Sequence, residues 1–197
     1  MRIALIGSRE LEKNPLYFKD INMCFTVAYK LACSGITFTS GLCPLGMDGL
    51  AQKAYSRALS EGKCNESQFE VYIKDESVRL KSKLPNKHLS IVRNPNLIQK
   101  TYEICEEVLG ERHWNNCGDY ARGMHSRNCH QILGYNLNSP VDAVVCWTPN
   151  GEIKGGTATA LKIAIKHSIP IYNLGSSDYI LTLKYLKDFL IKHGIEI

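Results

Sequence analysis

Two glycines and two threonines in the last quarter of the chain have the types and spacing of a phosphate-binding loop. Gly155 and Gly156 can adopt positive φ and let a ligand approach the backbone closely. Thr157 or Thr159 can cap the helix that we expect to follow, and either can offer a hydroxyl group. The free N–H groups of that helix's first turn would then form an anion site. The alternative interpretation is a strand-to-helix turn that uses glycine only for its geometry.

The loop Gly7-Ser8-Arg9 near the start of the chain has a related composition. It follows a short apolar run, as in the opening of a doubly wound sheet. Ser8 and the N–H groups after it can hold a phosphate, whose charge Arg9 can neutralise. The alternative is a solvated loop end.

A third loop, residues 40–48, also lies between a strand pattern and a helical pattern. It contains Ser40, Gly41 and Gly46, and it ends in Asp48. This composition is compatible with anion binding. Two roles stay open for Asp48, which would lie in the first turn of the next helix: a favourable interaction with the helix dipole, or a hydrogen bond to a ligand hydroxyl.

The three loops would be positioned by alternating strands and helices. Buried-strand patterns occur at 2–6, 36–39, 69–73, 141–147 and 169–173. Helical apolar spacing occurs at 18–34, 50–59, 95–109, 119–133, 157–167 and 179–193. This alternation predicts an α/β fold: a single doubly wound Rossmann-like domain over residues 1–197, with a mainly parallel sheet and helices on both faces. Such sheets bind ligands beyond the carboxyl ends of their strands, where the three loops would meet.

The segments between these elements give weaker signals. We expect 74–90 to be an exposed excursion with little regular structure, and 113–118 to be a polar connection. Asn94 is the expected cap of the helix at 95–109, and Gly110 its expected end.

Composition limits the class of protein. The chain has 197 residues, 44% hydrophobic and 22% charged, which suits a globular domain with a sizeable core. Its formal net charge of +5 permits an acidic ligand but falls short of a dedicated nucleic-acid binder. No apolar run is long enough to span a membrane, and the first residues run directly into a strand pattern. We therefore expect a mature cytoplasmic protein without membrane contact.

The eight cysteines show no disulfide framework. His113, Cys117, His125 and Cys129 form two i, i+4 pairs, a spacing that can hold zinc on helices. Because no CxxC sequence accompanies them, we expect no metal site. We also expect no organic cofactor.

The order of the motifs GSRE, SGLCPLGMDGLAQKA and GGTATALKIA resembles the SLOG-type Rossmann superfamily, which contains DNA-processing protein A and the Lonely Guy phosphoribohydrolases. The Ser-Gly-x-x-x-x-Gly-x-Asp stretch at 40–48 is similar to the glycine-rich loop of the DNA-processing proteins. The stretch 123–128, Gly-Met-His-Ser-Arg-Asn, resembles the Met-His-x-Arg-Lys motif of the Lonely Guy enzymes. The resemblance covers most of the chain as an order of motifs.

The Lonely Guy enzymes cleave the base from a nucleoside monophosphate with the motif arginine and a glutamate, so the resemblance implies a catalytic role for Arg127. The chain departs from their pattern in having Asn128 for the lysine, and Leu161 and Lys162 for the two glutamates. N-glycosidic cleavage passes through an oxocarbenium-like state that needs a carboxylate nearby. Glu152 is the first candidate for that carboxylate. Further candidates are Glu10, Asp48 and Asp119.

Three hypotheses follow. The favoured one is a protein that binds a nucleotide or a nucleotide-derived ligand, sensing or sequestering it. The three loops would surround the phosphate, with Arg127 and His125 beside the sugar. Trp147 would stack on the base, or would merely finish a buried strand. The second is a nucleoside-5'-monophosphate phosphoribohydrolase with Arg127 and Glu152 as catalytic residues.

The third hypothesis is single-stranded DNA binding across the glycine loops, which would need a basic groove. The candidate patch could equally be a solvated face, and comprises Lys74, Arg79, Lys81, Lys83 and Lys87. The resemblance also implies a homo-oligomer whose interface contains the helix at 119–133. That helix mixes polar groups with the apolar residues Tyr120, Met124, Ile132 and Leu133. An ordinary amphipathic helix on a monomer is the alternative.

Overall fold

The strands form one parallel sheet in the computed structural model, which describes residues 1–79 and 89–196, and of residues 78 and 79 the backbone alone. The strands are β1 (Arg2–Gly7), β2 (Thr37–Ser40), β3 (Phe69–Tyr72), β4 (Leu89–Ser90), β5 (Ala143–Trp147) and β6 (Ile171–Asn173). Their order across the sheet is β4-β3-β2-β1-β5-β6, and each neighbouring pair is parallel. The α/β class predicted from the alternating pattern is confirmed.

Helices connect the strands. They are α1 (Glu10–Lys13), α2 (Phe18–Cys33), α3 (Gly46–Ser60), α4 (Glu76–Arg79), α5 (Pro95–Leu109), α6 (Glu111–Asn115), α7 (Asp119–Leu133), α8 (Ala158–Lys166) and α9 (Tyr179–Lys192). Short 3-10 turns precede or follow some of them, at Pro15–Tyr17, Glu66–Gln68, Pro149–Gly151 and Gly155–Thr157. In the part of the chain described, no helix has both the length and the apolar character needed to cross a bilayer.

The sheet separates two hydrophobic layers. Successive residues of a strand point to opposite faces, so Ile3 and Leu5 pack with α2, α3 and α9 on one side. Ala4 and Ile6 pack with α5, α7 and α8 on the other side. Burial of both faces explains why the strands read as continuous apolar runs, and it confirms the doubly wound arrangement.

The order of the strands reverses between β1 and β5. From β1 the chain builds outward through β2, β3 and β4, and it then returns to place β5 on the other side of β1. Ile3 is thus paired with Phe38 on one side and with Ala143 on the other. Such a reversal leaves a crevice at the carboxyl ends of the two central strands.

Two short elements differ from the sequence-based expectation. The excursion predicted at 74–90 contains α4 and β4, while residues 80–88 lie outside the described chain. Strand β4 has two residues, too few for a periodic signal, although Leu89 is buried and pairs with Val71. The connection predicted at 113–118 begins inside α6, which packs the buried Trp114 edge-on against Tyr102.

Candidate functional site

A cavity of about 790 Å³ opens at the crevice between β1 and β5. It is lined by members of the three predicted loops and of α7. The predicted site residues that line it are Gly7, Ser8, Arg9, Asp48, His125, Arg127, Gly155, Gly156 and Thr157. The topology therefore gathers residues from both ends of the chain into one space.

The half-buried guanidinium of Arg127 contributes to the wall of this cavity. Its Nη2 donates to Oδ1 of Asn128 at 2.9 Å, while its Nε is buried without a hydrogen-bond partner. Among residues 1–79 and 89–196, no carboxylate forms an ion pair with it. Burial lowers the pKa of Arg127, and the negative charge of Asp48 acts in the opposite direction. An arginine still stays protonated, so the cavity contains an incompletely paired positive charge.

Asp48 joins the ends of β1 and β2. Its Oδ1 accepts a hydrogen bond from the N–H of Gly41 at 3.0 Å, and its Oδ2 accepts one from the N–H of Gly7 at 3.2 Å. Burial raises the pKa of Asp48, while Arg127 and these N–H groups act to lower it. A Cβ at Gly41 would lie 2.6 Å from Nη1 of Arg127 and 2.8 Å from Oδ1 of Asp48. Gly41 is therefore required for the two charged groups to approach each other.

The turn Gly155–Thr157 supplies backbone donors. Gly155 has a φ of +68°, and a Cβ placed on Gly155 or Gly156 would meet only open space. Within the described residues, the N–H of Gly156 makes no hydrogen bond to backbone outside its own turn. Nδ2 of Asn128 donates to the carbonyl of Gly156 at 3.0 Å, which links the turn to α7. Backbone N–H groups at the start of a helix are well suited to hold an anion.

The prediction that Thr157 or Thr159 caps α8 is wrong. Thr157 has helical backbone angles, φ −77° and ψ −22°, so its side chain makes no capping hydrogen bond. Thr159 is fully buried, and its Oγ1 lies 2.7 Å from Nδ1 of His125. Burial lowers the pKa of His125, and the nearby His113 and Arg127 lower it further.

The first loop is held by its own backbone. The N–H of Ser8 donates to the carbonyl of Trp147 at 2.9 Å, and Oγ of Ser8 accepts from the N–H of Glu10 at 3.2 Å. Gly46, with a φ of +72°, lies so close that a Cβ would be 2.4 Å from the carbonyl oxygen of Ser8. The N–H of Gly46 donates to Oε2 of Glu12 at 2.7 Å. Gly46 thus packs α3 against this loop and does not line the cavity.

Three other predicted residues lie away from the cavity. Ser40 is fully buried and donates to the carbonyl of Leu5 at 2.7 Å. Trp147 is 1% exposed, and its Nε1 donates to Oδ2 of Asp20 at 3.0 Å. This burial leaves the indole no free face for a base. Glu152 is exposed and pairs with Lys154 at 2.5 Å, so its carboxylate is outside the cavity wall.

Further charged side chains around the cavity were not assigned to the nucleotide site from the sequence. Lys13 lies one helical turn after Arg9, and Lys154 directly precedes the glycine turn. Lys74 also lines the cavity, and its Nζ lies 4.6 Å from the ring centre of Tyr120. The lining includes five Lys and Arg residues and two acidic residues, Glu10 and Asp48, and two of the cations are paired, Lys74 with Asp75 and Lys154 with Glu152. The three cations without an ion pair in the described residues, Arg9, Lys13 and Arg127, favour an anionic ligand.

The remaining sequence-predicted clusters have different outcomes. Of the basic patch proposed for DNA, only Lys74 has a described side chain, because residues 80–88 and the side chain of Arg79 lie outside the described part. Of the histidine and cysteine pairs, His113, Cys117 and His125 have ligand atoms within 4.8 Å of one another. Cys129 is buried in the core instead, with its Sγ 3.4 Å from that of Cys105.

Comparison of the chain with protein families, with curated proteins and with solved structures finds no match.

Proposed function

We propose that this protein binds a nucleotide or a nucleotide-derived ligand, whose phosphate lies between Arg127 and the turn Gly155–Thr157. The observation that carries the proposal is the guanidinium of Arg127, which lines the cavity with a buried, unpartnered Nε and no ion pair in the described residues. A charge taken out of water without a partner is costly. A phosphate would supply that partner and accept two parallel N–H donors from the planar group.

The glycine turn in the lining of the cavity favours the same ligand group. The N–H groups of the turn Gly155–Thr157 stand at the start of α8, where the helix dipole favours negative charge. Arg9 and the hydroxyl of Ser8 line the cavity as well and are available to a second phosphate or to a sugar hydroxyl. Backbone donors, a guanidinium and a hydroxyl together form the usual constellation for a phosphate ester.

Size and lining support a nucleotide over a bare phosphate ion. A volume of about 790 Å³ lies in the range of small-molecule sites and far exceeds that of an inorganic anion. Apolar groups of Leu42, Ile73 and Met124 contribute to the lining. Tyr120 also lines the cavity and is 70% exposed, so its ring can stack on a base where the buried Trp147 cannot. The resemblance to the SLOG-type superfamily supports the same class of ligand.

Calorimetric titration with a panel of nucleoside 5'-monophosphates tests the proposal. We expect at least one of them to bind, and the matching nucleoside without phosphate to bind at least about a hundredfold more weakly, since it lacks the charged contacts. Circular dichroism on the same samples confirms that the protein is folded. Folded protein that gives no heat with any member of the panel would overturn the proposal.

A phosphoribohydrolase is the second candidate, favoured by one observation: Asp48 and Arg127 line the same cavity. Asp48 supplies the carboxylate that this reaction needs, whereas Glu152 is exposed and paired with Lys154. Chromatography of reaction mixtures should then show free base released from a nucleoside monophosphate. Asp48→Asn should abolish that release, and Glu152→Gln should leave it unchanged. Release that survives Asp48→Asn excludes this assignment.

A further inference from the structure

We propose that His113, Cys117 and His125 form a binding site for a divalent cation of the zinc class. The ligand atoms of the three side chains lie within 4.8 Å of one another. The inference is independent of the proposed function, because none of its arguments uses the nucleotide.

The distances require only a small adjustment. Around tetrahedral zinc, Zn–N bonds of about 2.0 Å and Zn–S bonds of about 2.3 Å place ligand atoms roughly 3.3–3.6 Å apart. Where two ligand atoms are 4.8 Å apart, the largest separation in the cluster, they must approach by roughly 1.2–1.5 Å. His113 is exposed on the five-residue helix α6, so its ring can rotate without disturbing the core.

Cys117 is already placed by the backbone. Its N–H donates to the carbonyl of Trp114 at 3.0 Å, and its Sγ lies 3.4 Å from the carbonyl oxygen of His113. These contacts continue the helical turn beyond α6 and keep the thiol on the same side as the His113 ring. His113 and Cys117 therefore lie one helical turn apart on the same side of the backbone, although α6 itself ends at Asn115.

His125 is held in the orientation of a metal ligand. Its Nδ1 lies at hydrogen-bond distance, 2.7 Å, from Oγ1 of the buried Thr159, which leaves Nε2 as the nitrogen available to a cation. The ring of Trp114 packs against it, with centroids 6.4 Å apart and planes at 62°. Metal-binding histidines commonly engage their second nitrogen in this way, because the bond fixes the ring and its tautomer.

The donor set selects the class of ion. Two imidazole nitrogens and one thiolate suit zinc, whereas magnesium and calcium require oxygen ligands. Three protein ligands leave a fourth coordination position for water or a ligand group. His113 and His125 line a second cavity, of about 410 Å³, together with Gly155 and Gly156. The fourth coordination position is therefore accessible from this second cavity, which the glycine turn also lines.

Cobalt titration of the full-length protein, without a histidine tag and stripped with a chelator, tests the site. We expect one equivalent of Co²⁺ to bind with the visible absorption of tetrahedral cobalt and a thiolate-to-cobalt charge-transfer band. Cys117→Ser should abolish that band, and His113→Gln should weaken binding at least about tenfold. Native mass spectrometry should show one Zn²⁺ per chain in the unmodified protein.

Cys33→Ser is the matched control, since Cys33 is also half-buried but packs on the opposite layer of the sheet. It should bind cobalt like the parent protein. His113 is exposed, so loss of the ion in His113→Gln cannot be attributed to unfolding. A charge-transfer band that persists in Cys117→Ser, or parent protein that takes up neither ion at micromolar concentration, would overturn the inference.

Discussion

Replacing Arg127 with methionine should separate ligand binding from stability. The guanidinium has a buried Nε without a partner, and its Nη2 is engaged only with Asn128. Two charge-assisted hydrogen bonds to a phosphate contribute at least about 1.5 kcal/mol each. Their loss, about 3 kcal/mol, corresponds to a dissociation constant that is roughly 150-fold higher. We take as reference the nucleoside monophosphate that binds the parent protein most tightly.

The same substitution should not weaken the fold. Methionine fills the space of the arginine stem and removes a half-buried cation that has no ion pair in the described residues, while the lost attraction to Asp48 offsets part of the gain. We therefore expect a free energy of unfolding that is unchanged or higher by up to about 1 kcal/mol, as is typical when a residue kept for function rather than stability is replaced. Urea unfolding measures this change, and calorimetry measures the affinity.

Arg122→Met is the matched control, because it removes the same charge from the same helix. The guanidinium of Arg122 lies over the ring of Trp114 at 5.2 Å, and Arg122 does not line the cavity at the β1–β5 crevice. Its loss should change the affinity by less than about threefold, as for a screened charge at a distance. Equal losses of affinity in the two variants would show that the ligand responds only to net charge. The reasoning on Arg127 would then be refuted.

Three further predictions follow from other residues. Gly46→Ala should lower the free energy of unfolding by more than about 2 kcal/mol, because its Cβ would meet the carbonyl of Ser8. Gly62→Ala, at a similar positive φ in open space, should lower it by only about 1 kcal/mol. Urea unfolding measures both changes, and equal losses would contradict the contact with Ser8. Burial raises the pKa of Asp48 above its ordinary value of 3.8. Between pH 3.8 and this raised pKa, the folded protein therefore binds more protons at Asp48 than the unfolded chain does. The stability of the parent protein relative to Asp48→Asn should therefore fall as pH rises until the raised pKa is passed, and a flat or rising difference contradicts this sign. Finally, we expect a symmetric oligomer with α7 at its interface, and light scattering measures its mass. A monomer mass at tens of micromolar protein, with nucleotide binding intact, would contradict this prediction.

The interface prediction has already lost part of its basis. Ile132 and Leu133, two of the apolar residues on which it drew, are buried in the core of the monomer. Tyr120 is exposed, and Met124 lines the cavity. Any interface on α7 must therefore use the first half of the helix, next to the candidate site.

Long periodic segments could be predicted from the sequence because their signals are local. The helix expected at 95–109 begins and ends where predicted, since Oδ1 of Asn94 accepts from the N–H of Asn96 and Gly110 adopts a φ of +86°. The helix expected at 119–133 likewise agrees with α7 at both ends. The glycine loops were recognisable for the same reason: glycine, serine and threonine cluster between a strand and a helix.

The direction of individual side chains could not be predicted, because it depends on packing between distant segments. Trp147 shares its face of β5 with Ala143 and Val145, and that face packs into the layer formed by α2 and α3. Glu152 is carried outward by the 3-10 turn at Pro149–Gly151. Whether Arg127 forms an ion pair depends on which carboxylates the fold brings near it. Sequence spacing contains no information of that kind.

The late pairing of β5 with β1 determines when the cavity at the β1–β5 crevice can form during synthesis. One part of its lining, Gly7 to Arg9, is made among the first residues, whereas another part, Gly155 to Thr157, emerges only after most of the chain. Until β5 arrives, β1 has an open edge and Ile3 lacks its partner Ala143. Contacts so distant in sequence form slowly. A ligand that contacts both parts of the lining would therefore bind only chains whose sheet is complete, and it would draw newly made protein toward the folded state by mass action.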